Sequence, residues 1–313
     1  MNFDHIVGHE KLKIYIDKSI KLGIFSHAHL FIGEDGIGKS LLAKASAIKI
    51  LNGQIDKNYA DIIEFKVEKN KKSIGIDQVR KINEEINKKP YEGDKKVVIV
   101  YEVDKMTEEA QNAFLKTIEE PPKGVFIILL CESLSSVLDT VKSRCQIHKL
   151  QRLSSMEMCT YIKNKYPKVS EDELKVMVTF SEGIPGRAEK FLTDVSFKEI
   201  RDTVIKILKE LNDSNVDVMK FEVFFIKYKN DWKEILSWFL TYVRDIMIYK
   251  EIGNKDMLVN IDKYDEIKDL ANMFSFNKLN DIIYMVNDTQ KKLSRNVNLS
   301  LVFQVMLIKI KDL

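Results

Sequence analysis

Apolar positions change rhythm along the chain. Residues 97–100 (VVIV) and Val125–Cys131 are short, unbroken apolar runs without polar alternation. Runs of this kind are strands covered on both faces of a parallel sheet. Between them, 107–118 repeats apolar residues at helical steps through Ala110, Ala113, Phe114 and Ile118. Thr107 can cap that helix, Glu108 and Glu109 suit its positive end, and Pro121-Pro122 stops it. Strand, helix, strand is a βαβ unit, and such sheets place their sites at the carboxyl ends of strands. Upstream, 7–22 has helical spacing through Leu12, Ile14, Ile16 and Ile20 and ends at Gly23. His27-Ala28-His29-Leu30-Phe31-Ile32 leads into the first sheet strand, 61–67 reads as another, and Ile76 opens a helix that runs to about Asn87.

Beyond about Leu153 the strand rhythm stops. Residues 154–166, 171–181 and 185–193 read as three short helices, with Gly183-Ile184-Pro185-Gly186-Arg187 joining the second to the third. Pro185 suits a first helical turn. From 196 onward only helical spacing remains. Leu236, Phe239, Leu240, Val243 and Met247 repeat in a segment that ends at Gly253-Asn254. In 301–310 only Gln304 and Lys309 are polar, so that last helix is apolar on more than one face. The pattern predicts an α/β domain with a parallel sheet over 1–152, a small helical lid over 153–195 and an all-α domain over 196–313.

Composition narrows the picture little. The 313 residues suit two or three domains, and 45% hydrophobic with 31% charged residues fits a globular protein with a real core. Fifty Lys and Arg against 47 Asp and Glu give a net charge of +3, which is no footprint of a polyanion binder. Cys131, Cys145 and Cys159 form no CxxC pair, so no zinc site is expected, and Cys131 reads as core. Unpaired cysteines, an N-terminus without a basic-then-apolar signal and no apolar run of about 20 residues lead to a cytoplasmic expectation. His27 and His29 have no partner at a nearby spacing and read as structural, and Asn70-Lys71-Lys72 reads as a solvated loop.

The chemistry lies in three places. Gly33-Glu34-Asp35-Gly36-Ile37-Gly38-Lys39-Ser40 is a complete GxxxxGKS between a strand and a helix. Gly33, Gly36 and Gly38 let backbone N–H groups close on phosphate oxygens. Lys39 would reach the outer phosphates, and Ser40 would offer its hydroxyl to Mg²⁺. The bland alternative is a loop that keeps the shape without the ligand. The second place is Tyr101-Glu102-Val103-Asp104, at the end of a strand. A nucleotidase often carries an acidic pair there, one residue for the metal shell and one to orient water. Glu102 is present, and Tyr101 stands where the metal carboxylate would be. Third, Ser143-Arg144-Cys145 puts an Arg just before a new strand, where it could enter a neighbour's phosphate site or make a local salt bridge.

VYEVDKMTEEAQNAFLKTIEEPP followed by SRCQ resembles the core of the clamp-loader ATPase subunits, AAA+ proteins that place a ring-shaped sliding clamp on primed DNA. The likeness runs over nearly the whole chain and is nearest to the delta-prime type of bacterial DNA polymerase III. It implies that Arg144 is an arginine finger acting in trans and that Arg187 reaches back over the P-loop. It also implies that the Ile6-Val7-Gly8 turn lies against the adenine, and that Ser133 stands near the place of a γ-phosphate sensor, a poor match. Arg244-Asp245 and Asn296-Val297-Asn298 match the helical collar that joins subunits. Many relatives carry a four-cysteine zinc module in the region corresponding to 50–60, and here that stretch has no cysteine.

The resemblance thus points to an assembly subunit with a degraded ATP site and weak or absent ATPase, taking ATP or ADP with Mg²⁺ and no zinc. The expected partners are gamma/tau and delta subunits, the sliding clamp and primed DNA. A hydrolysing motor subunit of the same machine, a small subunit of archaeal or eukaryotic loaders and a stand-alone P-loop NTPase are the alternatives. No constellation of carboxylates for nucleotidyl transfer is visible.

Overall fold

Five short strands are laid side by side, all parallel, in the order β2-β3-β4-β1-β5. They are β1 (Ala28–Ile32), β2 (Ile62–Phe65), β3 (Lys96–Val100), β4 (Val125–Cys131) and β5 (Gln146–Lys149). The computed structural model describes residues 3–53, 59–69, 71–213, 215–295 and 297–313. Asn70, Asn296 and residues 54–58 of the cysteine-free segment lie outside the described residues. The register aligns Val98 with Ile127 and Leu30 with Leu129, so equivalent levels of the sheet meet across three strands.

Every residue of β1 and β3 is buried, as unbroken apolar runs require. Alternate residues serve opposite faces. Val98, Val100, Ile127 and Leu129 face α3 (Ile76–Asn87) and α4 (Glu108–Glu119), meeting Val79, Ile82, Phe114 and Ile118. Val97, Ile99, Ile128 and Leu130 face α1 (Glu10–Lys21) and α2 (Lys39–Ile50), meeting Ile16, Leu42, Ala43 and Ile50. Thr107 caps α4 by accepting from the Ala110 N–H at 3.2 Å, and Gly23, at φ +70°, follows the end of α1. The second strand is shorter than its apolar run suggests, four residues against the expected seven.

Downstream of the short α5 (Asp139–Lys142) come α6 (Ser155–Lys165), α7 (Glu171–Ser181), α8 (Pro185–Thr193) and α9 (Val195–Glu210). The chain continues through α10 (Glu222–Lys227), α11 (Trp232–Ile252), α12 (Tyr264–Met273), α13 (Phe276–Leu293) and α14 (Leu299–Asp312). Two compact units result, one of Met1–Lys165 with Glu182–Gly186, the other of Tyr166–Ser181 with Arg187–Leu313. The division therefore runs through the three short helices. Within the second unit, buried Asp245 accepts from the N–H groups of Val259 and Asn260 and from Asn260 Nδ2. Asn260 Oδ1 in turn accepts from Arg201, whose guanidinium also grips Asp262. On α14, Val302, Phe303, Met306 and Ile310 are buried while Leu301, Val305 and Ile308 are exposed. Among the described residues no helix is long and apolar enough to cross a membrane.

The cysteine and histidine expectations resolve in the first unit. Cys131 is buried in the core, and burial pushes its thiol up to about 12. His27 is tied to the Ile118 carbonyl at 2.9 Å. His29 has a partner far along the chain: its Nδ1 lies 2.8 Å from His148 Nε2, and its ring stacks on Phe25 at 3.7 Å. Burial lowers both imidazoles, His29 to about 3 with a further contribution from His148, and His148 to about 4. Both rings are thus neutral in the folded state, while the unfolded chain takes up protons near pH 6.5. Their contribution is complete above pH 6.5 and is lost as pH falls from there toward 4. Thermal melts should show the melting temperature falling across that window, with a shallower fall in His148→Gln. Parallel profiles for variant and wild type would count against the pair as the source.

Candidate nucleotide-binding site

The P-loop leaves β1 and enters α2 through backbone that only glycine adopts without strain: Gly36 has φ +78° and Gly38, at the start of the helix, φ +108°. Lys39 and Ser40 follow at the N-terminus of a 12-residue helix, where N–H groups and the helix dipole favour an anion. With the ends of β3 and β4 the loop forms a cleft of about 480 Å³, lined by Asp35, Gly36, Gly38, Lys39, Ser40, Lys66, Tyr101, Glu102, Asp104, Lys105, Cys131 and Glu132. The structure thus brings Gly36, Gly38, Lys39, Ser40 and Glu102 into one site. Gly33, just after β1, supplies a carbonyl that accepts from Lys39 Nζ at 2.6 Å, and the Glu34 carbonyl accepts at 2.9 Å. Burial holds the Lys39 ammonium below the usual lysine range, opposed by the carboxylates of Glu132, Asp35 and Asp104.

The strand end is occupied differently from an acidic pair. Tyr101 donates its hydroxyl to Glu64 at 2.8 Å, and Glu64 also receives Lys44 of α2 at 2.7 Å. Burial and the Glu64 bond push the phenol above its ordinary range. Burial raises the Glu64 carboxyl, but the bonds from Lys44 and Tyr101 outweigh it and hold the group below the usual range. Glu102 sits in the left-handed region at φ 53° and is paired with Lys105. Asp104 Oδ1 accepts the Glu132 N–H at 3.3 Å.

These residues do not fit a magnesium ion held through Ser40 and a strand-end acid. A phenol stands where the ion needs a carboxylate, its proton is committed to Glu64, and Glu102 is committed to Lys105. Among the described residues no group of three or more His, Cys, Asp and Glu could hold a metal ion.

Three contacts escaped the sequence. Gly186 donates its N–H to the Gly36 carbonyl at 2.9 Å, and a Cβ on Gly186 would stand 2.7 Å from the Gly36 Cα. Arg152 holds Glu34 of the P-loop with two bonds, at 2.5 and 2.8 Å, and Glu182 with a third at 3.0 Å. His9 Nε2 lies 3.4 Å from the Ile37 carbonyl, which brings the end of the Ile6-Val7-Gly8 turn to the loop. Gly186 had a faint signal, since glycine inside a helix costs about 1 kcal/mol and so marks a close backbone approach. The other two pairings left none.

Arg144 follows α5. It is not among the residues lining the cleft and is about a third exposed; Nε binds Glu119 at 3.0 Å and Nη1 the Thr140 carbonyl at 3.1 Å. The local salt bridge is therefore present in the isolated chain. Arg187, half-buried in the first turn of α8, belongs to the second unit. Ser133 bonds to Ser135 at 2.9 Å and does not line the cleft.

A family model described as DNA polymerase III, delta subunit, matches residues 8–154, and one described as DNA polymerase III, delta subunit, C terminal, matches 196–312. The chain is 27% identical to DNA polymerase III subunit delta' of Bacillus subtilis, over 94% of this chain and 93% of that protein. It is 25% identical to DNA polymerase III subunit tau of the same organism, over 98% of this chain; there the chain spans 61% of its relative's length. Among solved structures, a single-substitution variant of Thermotoga maritima RuvB aligns over 86% of this chain and 88% of that one, with TM-score 0.50 and 15% identity, a likeness of fold.

The Gly36–Gly186 approach gives a direct test. Gly186→Ala should cost roughly 1–3 kcal/mol, as overpacking against backbone does, measured by denaturant unfolding. A variant as stable as wild type would show that the two backbones separate freely.

Proposed function

The chain belongs to the DNA polymerase III delta-subunit family of clamp-loader proteins, and from that premise we propose that it is a delta-prime-type assembly subunit. In this reading it helps to place the sliding clamp on primed DNA beside gamma/tau and delta subunits. Its own cleft holds a nucleotide without efficient turnover. The observation that carries this is Tyr101. An intact P-loop is joined to a strand end whose first position is a neutral phenol locked onto Glu64. Charge developing on a transferring phosphoryl group would be poorly neutralised there. Gly33, Gly36, Gly38, Lys39 and Ser40 bind, while Glu102 can orient water only after releasing Lys105.

Arg144 serves the neighbouring subunit. Its guanidinium is accessible, planar and bidentate-capable, and its partner Glu119 is itself about half exposed. Surface pairs of this kind are worth about 0–1 kcal/mol, so a phosphate can displace the carboxylate at little cost. Arg187 is assigned to the subunit's own nucleotide on resemblance. The helices from 196 onward form the collar, and the outward Leu301, Val305 and Ile308 of α14 suit a surface covered on assembly.

A motor reading is favoured by one observation, the complete GxxxxGKS loop. ATP hydrolysis by the purified chain separates the two. Turnover abolished by Lys39→Ala, at a rate matching motor subunits, would establish the motor; no Lys39-dependent turnover is the expected result. In a reconstituted loader, Arg144→Ala should leave the fold intact and lower ATP turnover, by about 10³-fold or more at the one site the finger completes. Equal turnover would remove the finger assignment. A truncation at residue 205 should no longer enter the complex, and unchanged affinity would remove the collar assignment.

A further inference from the structure

At the end of β3 a cation of the protein itself stands beside the replaced carboxylate. Lys66 Nζ lies 4.7 Å from the centroid of the Tyr101 ring, on the side chain that occupies the metal-acid position, and both residues line the cleft. An ammonium over an aromatic face is held by the ring quadrupole. The phenol stays neutral, since burial and the bond to Glu64 raise it above the ordinary tyrosine range. Glu64, on which Lys66 also acts, is paired with Lys44. Compared with a strand end bearing a carboxylate and no lysine, one negative charge is then gone and one positive charge is added. That change equals the charge of the divalent cation such a carboxylate would hold.

The remaining charges define what phosphate can enter. Lys39 lines the cleft at the start of α2 and would exchange its bonds to the Gly33 and Glu34 carbonyls for phosphate. Lys105 is neutralised by Glu102. Glu132, Asp35 and Asp104 all act on the Lys39 ammonium, and Asp104 is fastened to the Glu132 backbone. A P-loop lysine serves the outer phosphates. The carboxylates that line the cleft beside it repel each further phosphate charge.

Resting on the nucleotide-holder reading above, we propose that the cleft binds a nucleoside diphosphate without a divalent cation, its phosphates neutralised by Lys39 and Lys66, and that Glu132 and Asp104 disfavour a third phosphate. Lys66 is thus a binding residue, and Tyr101 is the platform that holds its ammonium in place.

The test is titration of the full chain with fluorescently labelled ADP and ATP, each with Mg²⁺ and with excess EDTA, the fold being followed by circular dichroism. ADP affinity should agree within about twofold between the two buffers, and ATP should bind about fivefold or more weakly than ADP in EDTA. Lys66→Ala should weaken ADP about tenfold in both buffers, a loss of about 1.4 kcal/mol. Lys66→Arg should restore most of it, and Tyr101→Phe, which keeps the ring, should preserve binding in EDTA. If Mg²⁺ tightens ADP tenfold or more, or Lys66→Ala and Lys66→Gln bind as wild type, the inference is overturned and the holder reading stands. If neither nucleotide binds in either buffer, the holder reading falls and the inference with it.

Discussion

A parallel sheet buried on both faces has no wet side on which to put chemistry. That constraint shapes the first unit. It makes β1 and β3 mostly apolar, assigns alternate residues to two helical layers, and leaves polar groups chiefly to the strand ends, buried His29 being paired with His148. The cleft is where the ends of β1, β3 and β4 come together with the start of α2. Its polar groups are engaged with one another: Lys39 with loop carbonyls, Tyr101 with Glu64, Glu102 with Lys105, Arg152 with Glu34.

What could be seen in the sequence was what is local. Apolar runs, the Thr107 cap, the Pro121-Pro122 stop and the GxxxxGKS loop each depend on residues a few positions apart, and the strands and helices they mark are present. The long-range pairings were hidden because strand order decides them. His29 and His148 are 119 residues apart and meet because β1 lies next to β5. Glu64 reaches Tyr101 because β2 lies next to β3. The absence of an acid at 101 was plain in the chain, whereas the brace and the ammonium filling its place were not. The helical half was legible as helices but not in its polar interior, where Arg201, Asn260 and Asp245 come from three separate segments.

The P-loop is also held by residues that do not line the cleft. Gly186 and Arg152 fasten it to the 182–186 segment, which belongs to the first unit and leads directly into α8. A loop fixed at Glu34, Gly36 and Ile37 is preorganised, so little of the free energy of binding is consumed in ordering it. The same bonds make the loop's shape a property of the fold rather than of its ligand.

The Arg144–Glu119 pair has a further consequence. An arginine kept at home by a carboxylate is a competitive system: any incoming anion must displace Glu119 before the guanidinium will turn outward. Surface pairs of this strength yield readily, and a phosphate with several charges is a stronger competitor than a single carboxylate. In the proposed reading, Glu119 is thus the competitor that a neighbour's phosphate meets. The same guanidinium that is neutralised in the isolated chain is therefore one whose release depends on the charge of the group that approaches it.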